Sequence, residues 1–198
     1  MKMKIRYKLT KQDLTTYANT KWVLNEWKET SGNGELCTGG WLHCYTSPLL
    51  SILLNPIHAN ITNPKLFKCE VEGKYLGDYG RKEGWTRMRI IEEIEVPQLS
   101  EINKIAFGIL CALEVYKNKK FVLWANNWLE NKDRSKESAA AAYHAANSAS
   151  AAAYHAASAA ADYAYYAADA AAANAASYAA RNKKNINLIK LAKRCLEY

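Results

Sequence analysis

Residues 139–180 hold 26 alanines in 42 positions, and Tyr, Ser, Asn, His and Asp make up the remainder. Glycine, proline, lysine, arginine and glutamate are all missing from the stretch. Alanine has the highest intrinsic helix propensity, so helix is dictated here almost regardless of context. The stretch also repeats. Ala-Ala-Ala-Tyr143-His144-Ala-Ala returns as Ala-Ala-Ala-Tyr154-His155-Ala-Ala eleven residues on, and Tyr165-Tyr166 falls one step further. Eleven residues make three helical turns, so a continuous helix would carry Tyr143, Tyr154 and Tyr165 as one stripe suited to packing between copies. Asn147, Ser158 and Asp169 would line up beside it, and the opposite face is bare alanine to about residue 161. Past that point Asn174, Ser177 and Tyr178 fall on the alanine side, so either the helix breaks or turns back between about Asp162 and Asp169, or its contact face changes partner there; length favours the break. A straight helix over the whole tract would measure roughly 60 Å at 1.5 Å per residue.

All four prolines and eight of nine glycines lie at or before Pro97. Such a shift in breaker residues marks a boundary. The chain is therefore expected to be α+β, with a mainly antiparallel, strand-and-turn-rich domain over residues 1–97 and an all-helical region over 98–198. In the first half Met3, Ile5, Tyr7 and Leu9 alternate with basic residues, as in a half-buried strand. Trp22–Trp27, Trp41–Tyr45, the Phe67-Cys69-Val71 alternation and Thr86–Val96 are the other strand candidates. Ser47-Pro48 opens a short apolar helix that Asn55-Pro56 stops. In the second half Ser100 caps an amphipathic helix, Trp124 and Trp128 stack four apart on another, Asp133 or Ser135 caps the alanine tract, and a last helix carries Ile186, Ile189, Leu191 and Cys195.

A formal charge of +8 allows an acidic partner. The basic residues are dispersed, however, and form no stripe interleaved with stacking aromatics, which weighs against dedicated nucleic-acid binding. Five cysteines without a Cys-x-x-Cys pair, behind an N-terminus lacking an apolar run, read as reduced thiols of a cytoplasmic protein. Asp162, Asp169 and the histidines exclude the alanine tract as a membrane span.

Chemistry-bearing residues concentrate near Trp41, His43 and Tyr45, which share one face of their strand, with His58 and Arg89 as further candidates for a ligand site. Cys37, His43, Cys44, His58 and Cys69 match no metal-ligand spacing, so neither metal nor cofactor is expected. His43 and adjacent Cys44 point to opposite faces and cannot act as base and nucleophile, although His43 with Cys37 stays open. His144 and His155, eleven apart, could form a pH-sensitive pair if buried.

The string Gly34-Glu-Leu-Cys37-Thr-Gly-Gly-Trp41-Leu-His43-Cys-Tyr45-Thr-Ser-Pro48-Leu-Leu, followed by Leu53-Leu-Asn-Pro-Ile-His58-Ala, resembles a family of uncharacterised proteins of tailed phages. The second half, from Ala106-Phe107 through Cys111-Ala-Leu-Glu-Val-Tyr116, Asp133-Arg134-Ser135 and the alanine tract, resembles an alanine-rich helical module of toxin-immunity proteins. The resemblance implies a bacteriophage accessory protein in the host cytoplasm that acts by binding. Its partner would be a host protein or a nucleotide-like signal of host defence, and it would form homo-oligomers. Gly40-Trp-Leu-His43 with the later Phe67-Lys-Cys-Glu-Val71 strand is similar to ADP-ribosyltransferase-like folds. That likeness implies a degenerate, ligand-binding version, or as the alternative an active transferase with Glu93 or Glu95 as catalytic carboxylate. A third expectation is a structural, oligomerising or immunity-type inhibitory module.

Overall fold

The computed structural model describes residues 3–146, 151–162, 165–183 and 185–198; within its helices the side chains of 143–146, 153–154, 157, 161–162 and 165–168 lie outside that description. The chain is α+β and divides into two compact units, residues 1–97 and 98–198.

The first unit has strands β1 (Lys4–Thr10), β2 (Lys28–Glu29), β3 (Leu42–Cys44), β4 (Lys65–Gly77) and β5 (Glu83–Ile94), with one helix, α1 (Pro48–Leu53). Every pairing is antiparallel: β1 with β4, β4 with β5, and β5 with both β2 and β3. Residues 25–30 and 42–44 follow the same edge of β5, from Asn25 N–H on the Ile90 carbonyl (2.8 Å) to the Cys44–Glu83 rung. Between them residues 31–41 leave the edge as a loop, pinched at its base by Gly32 N–H on the Gly40 carbonyl (2.9 Å). Tyr7 and Tyr45 then exchange two backbone hydrogen bonds (2.9 and 2.8 Å), so β3 meets β1 and the sheet closes into a small barrel. Trp22, Leu42, Cys44, Phe67, Cys69, Val71, Trp85, Met88 and Ile90 fill it.

β1 forms where alternation predicts it, but with its faces reversed. Lys4, Arg6 and Lys8 stand opposite Val71, Cys69 and Phe67. Directly opposed residues share a face, so Arg6 and Lys8 lie inward, half-buried and buried, while Met3, Lys4 and Ile5 at the start of the strand are exposed. Aromatic rings and one carboxylate make this tolerable. Lys4 and Arg6 lie over the Trp85 ring, Lys8 lies 4.5 Å from the Trp22 ring centre, and Arg6 is paired with Glu83. Leu9 is buried on the outer face, where α1 packs on β1. The expected strand at Trp22–Trp27 is absent, because Asn25 adopts a left-handed φ of 65° that ends extended pairing there; only Lys28 and Glu29 pair.

The second unit contains α2 (Glu101–Val115), α3 (Lys119–Leu129), α4 (Lys136–Ala146), α5 (Ala151–Asp162), α6 (Tyr165–Asn182) and α7 (Leu188–Arg194). Ser100 and Asn103 close a capping box at the start of α2. The alanine tract is spread over α4, α5 and α6, with α5 packed along both neighbours and α2 laid across α5 and α6. The division between α5 and α6 falls where the phase of the polar residues turns, and the second division, after Ala146, was not legible. It follows that Tyr143, Tyr154 and Tyr165 do not form one stripe: each belongs to a different helix, and their side chains fall outside the described residues. Nor is there a single smooth face. Ala172, Ala173, Ala175, Ala176, Ala179 and Ala180 of α6 are all buried. A methyl group removes little apolar area on its own, so alanine helices gain packing by folding back and meeting neighbours on several sides.

Candidate functional site

Trp41, His43 and Tyr45 share a face, as their alternation requires, and the 31–41 loop folds onto it. Trp41 Nε1–H donates to the Gly34 carbonyl (3.0 Å), and His43 Nε2 contacts the Leu36 carbonyl oxygen. Gly84, the β5 partner of His43, leaves the room this needs: a Cβ there would lie 2.4 Å from Leu36 Cδ1 and 3.0 Å from Trp41 Cβ. The polar atoms of Trp41 and His43 Nε2 therefore hold the loop. Burial lowers the His43 pKa, against the pull of its hydrogen bond to Leu36. The ring is then neutral at pH 7, with Nε2 as donor and Nδ1 as a lone-pair acceptor.

His58 arrives from the turn after α1. Its backbone N–H bonds back to Leu54 and Asn55, and the Asn55 side chain clamps the far side of the turn through two bonds to Ile61 (3.0 and 3.1 Å). The ring stacks on Tyr45, with centroids 5.9 Å apart and planes at 25°. Its Nδ1 is buried without a hydrogen-bond partner. Burial, then the charges of Lys82 and Arg81 and the neighbouring His43, hold the His58 pKa at about 3. Tyr45 is itself buried, which raises its phenol well above the ordinary range.

Arg81 and Lys82 come from the turn joining β4 to β5. The Arg81 guanidinium is ion-paired with Asp78, whereas the Lys82 ammonium donates to the exposed Cys37 thiol (3.3 Å), a weak acceptor. The charges of Lys82 and Arg81 and the His43 ring thus act on His58, and Asp78 is the carboxylate paired with Arg81. Sequence reasoning singled out the two histidines, Tyr45 and Cys37 but missed Arg81 and Lys82, since a Gly-Arg-Lys turn reads as a solvated hairpin tip. Cys37 pairs with Lys82 and His43 with Leu36, so the His43–Cys37 couple is not formed.

Arg89 is not part of this cluster. It lies five residues beyond Gly84 on β5, about 16 Å along the strand, paired with Glu70 (2.6 Å) and stacked over Trp27. Glu93 pairs with Lys65 at the exposed far end of β5, and Glu95 is exposed beyond it. Another buried carboxylate went unread: Glu83, held by Arg6 and by Trp85 Nε1–H (2.9 Å). In the helical unit His155 stacks on Tyr178, and the side chain of His144 lies outside the described residues. Among the described residues no group of three or more His, Cys, Asp or Glu is placed to hold a metal, and no helix is long and apolar enough to cross a membrane.

Family models, curated proteins and solved structures give no match to this chain. The site must therefore be interpreted from its own chemistry.

The His58 environment carries a pH signature. The unfolded chain takes up a proton near the ordinary value of 6.5 that the folded ring refuses until about pH 3. Stability from this group is complete above 6.5 and is lost as pH falls toward 3, at up to about 1.4 kcal/mol per unit. His43 acts in the same sense. Urea unfolding followed by tryptophan fluorescence at pH 7.5 and pH 5 should show that slope, and His58→Gln should flatten it; parallel profiles would contradict the placement of the ring.

Proposed function

We propose that the protein acts by binding rather than by catalysis, and that its first unit takes up an anionic small molecule at the cluster of His43, His58, Arg81 and Lys82. The observation that carries this is Lys82: an ammonium among other basic groups whose hydrogen-bond partner is the exposed sulfur of Cys37. Positive charge left with so weak an acceptor favours an anion. Glu93 and Glu95, the carboxylates a transferase would use, stand at the other end of β5 from Lys82.

The resemblance to tailed-phage proteins supplies a setting. In it the protein is an accessory factor in the host cytoplasm that opposes defence by sequestering a nucleotide-derived signal, with the alanine-rich unit packing the molecule or joining copies. Protein purified from infected cells, denatured and examined by mass spectrometry, is expected to release a phosphate-bearing compound that the Lys82→Met variant does not retain. Recovery of ligand-free protein with no affinity for nucleotides would count against the reading.

A further inference from the structure

Four helix ends meet at one end of the helical unit, outside the site described above. Residues 116–118 join the end of α2 to the start of α3, and residues 183–187 join α6 to α7. An ion pair between Lys183 and Glu114, 69 residues apart in the chain, ties the end of α6 to the end of α2, and α7 packs on α2. Both junctions are basic: Lys117-Asn-Lys119-Lys120 on one and Arg181-Asn-Lys183 on the other, with Lys190 in the first turn of α7. These cations are all exposed. Glu114 is the only carboxylate within residues 111–120 and 179–193. Its ion pair with Lys183 holds it below the ordinary carboxylate range, and the charges of Lys117 and Lys190 act in the same sense. The cations read as dispersed in the sequence because only the fold gathers them.

Local stabilisation explains part of this charge. Cations suit the C-terminal ends of helices, which covers Lys117, Arg181 and Lys183 at the ends of α2 and α6. Lys119, Lys120 and Lys190 stand in first turns, where the helix dipole disfavours positive charge. Among the described residues these three and Arg181 form no ion pair. Charge kept against local preference points to a function. Asn182, Asn185 and Asn187 are exposed between the cations, and lysine, arginine and asparagine are usual donors to phosphate oxygens. The exposed aromatic nearest in sequence, Tyr178, is stacked on His155, so little is offered to unpaired bases. Leu123 and Ile189, one exposed aliphatic each on α3 and α7, are too little apolar surface to seat in a bilayer. We propose that this end of the helical unit is an interaction surface for the phosphate backbone of double-stranded nucleic acid, with Lys119, Lys120, Arg181 and Lys190 as the cations that meet phosphates. It reads no bases. This surface belongs to the second unit and the small-molecule site to the first, so either can exist without the other.

Binding of the full chain to a short fluorescein-labelled DNA duplex of mixed sequence, followed by anisotropy, tests it. With four cations on phosphates, affinity should fall at least about a hundredfold between about 50 and 200 mM salt. Lys119→Gln with Lys120→Gln should weaken binding at least about tenfold at the lower salt and reduce the slope of log affinity against log salt by about 2. Lys132→Gln with Lys136→Gln removes the same charge beyond the far end of α3, roughly 15 Å along the helix, and should hold affinity within about threefold. Equal losses in the two double variants would show attraction by net charge alone and overturn the surface. So would an undiminished salt slope, or no binding at the lower salt. Vesicles of anionic phospholipid bound through Lys119 and Lys120 more tightly than the duplex would overturn nucleic acid in favour of a membrane surface.

Discussion

Gly108→Leu is expected to destabilise the helical unit by about 3 kcal/mol, a fall of roughly 15 °C in its melting temperature. A Cβ on Gly108 would stand 3.0 Å from Ala172 Cα, 3.2 Å from Ala172 Cβ and 3.4 Å from the Ala172 carbonyl oxygen. Two of these three contacts are with backbone, which cannot turn aside as a flexible side chain would. Leucine at this position must push α6 away from α2. Along that crossing Ile105, Ile109 and Ala112 of α2 and Ala172, Ala173 and Ala176 of α6 are fully or almost fully buried. Alanine helices hold one another through close approach, so a small separation forfeits many contacts together. Gly108→Ala separates the two effects present. Its helix propensity gains about 1 kcal/mol, and the crowding against Ala172 opposes that, so its net change should be far smaller than that of leucine. Amide hydrogen exchange along α2 and α6 would localise the loss; equal protection in wild type and Gly108→Leu would refute the close crossing.

Glu83→Ala should cost the barrel about 3 kcal/mol, because removing one partner of a buried pair strands the other. Glu83 accepts from Arg6 Nε, from Arg6 NH2 (3.2 Å) and from Trp85 Nε1 (2.9 Å), and its side chain is 9% exposed. Its loss leaves the Arg6 guanidinium with the Ile5 carbonyl alone (2.8 Å) and an indole N–H without an acceptor, beside a barrel interior that also holds Lys8. Burial lowers the Lys8 pKa, and no carboxylate is near enough to counter it. The double variant Arg6→Met, Glu83→Leu replaces charge with volume and should recover most of the loss. Urea unfolding of the three proteins, followed by tryptophan fluorescence, gives the comparison. A single variant as stable as wild type would show that the pair is solvated rather than enclosed.

The legibility of this protein varied by feature, and each case has a physical reason. Phe67, Cys69 and Val71 gave a correct strand because one face of β4 is uniformly core. β1 alternates just as regularly, yet alternation names two faces without saying which is inside. There the rings of Trp22 and Trp85 and the carboxylate of Glu83 outweighed the apolar residues. Trp22–Trp27 looked like a strand from composition, and a left-handed Asn25 ended it. In the site, His43 and Tyr45 were visible because they belong to one short strand. Lys82 was not, because its meaning depends on Cys37, 45 residues earlier in the chain. Arg89 was chosen for its type, but Glu70 and Trp27, its partners across the sheet, had already claimed it.

By itself the sequence determined what local propensity and punctuation control: the helices of the alanine-rich stretch, the Pro48 and Ser100 helix starts, extended chain at β1, β4 and β5, and the change from strand-and-turn to helical character after Pro97. Tertiary structure alone decided the second fold-back of the alanine tract, which face of β1 is buried, that His58 stacks on Tyr45 and that Lys82 reaches Cys37. Helix and strand formation depend on neighbours a few residues away. Burial and charge pairing depend on groups brought together across the fold, and in this chain the ion pair deciding the orientation of β1 joins residues 77 apart.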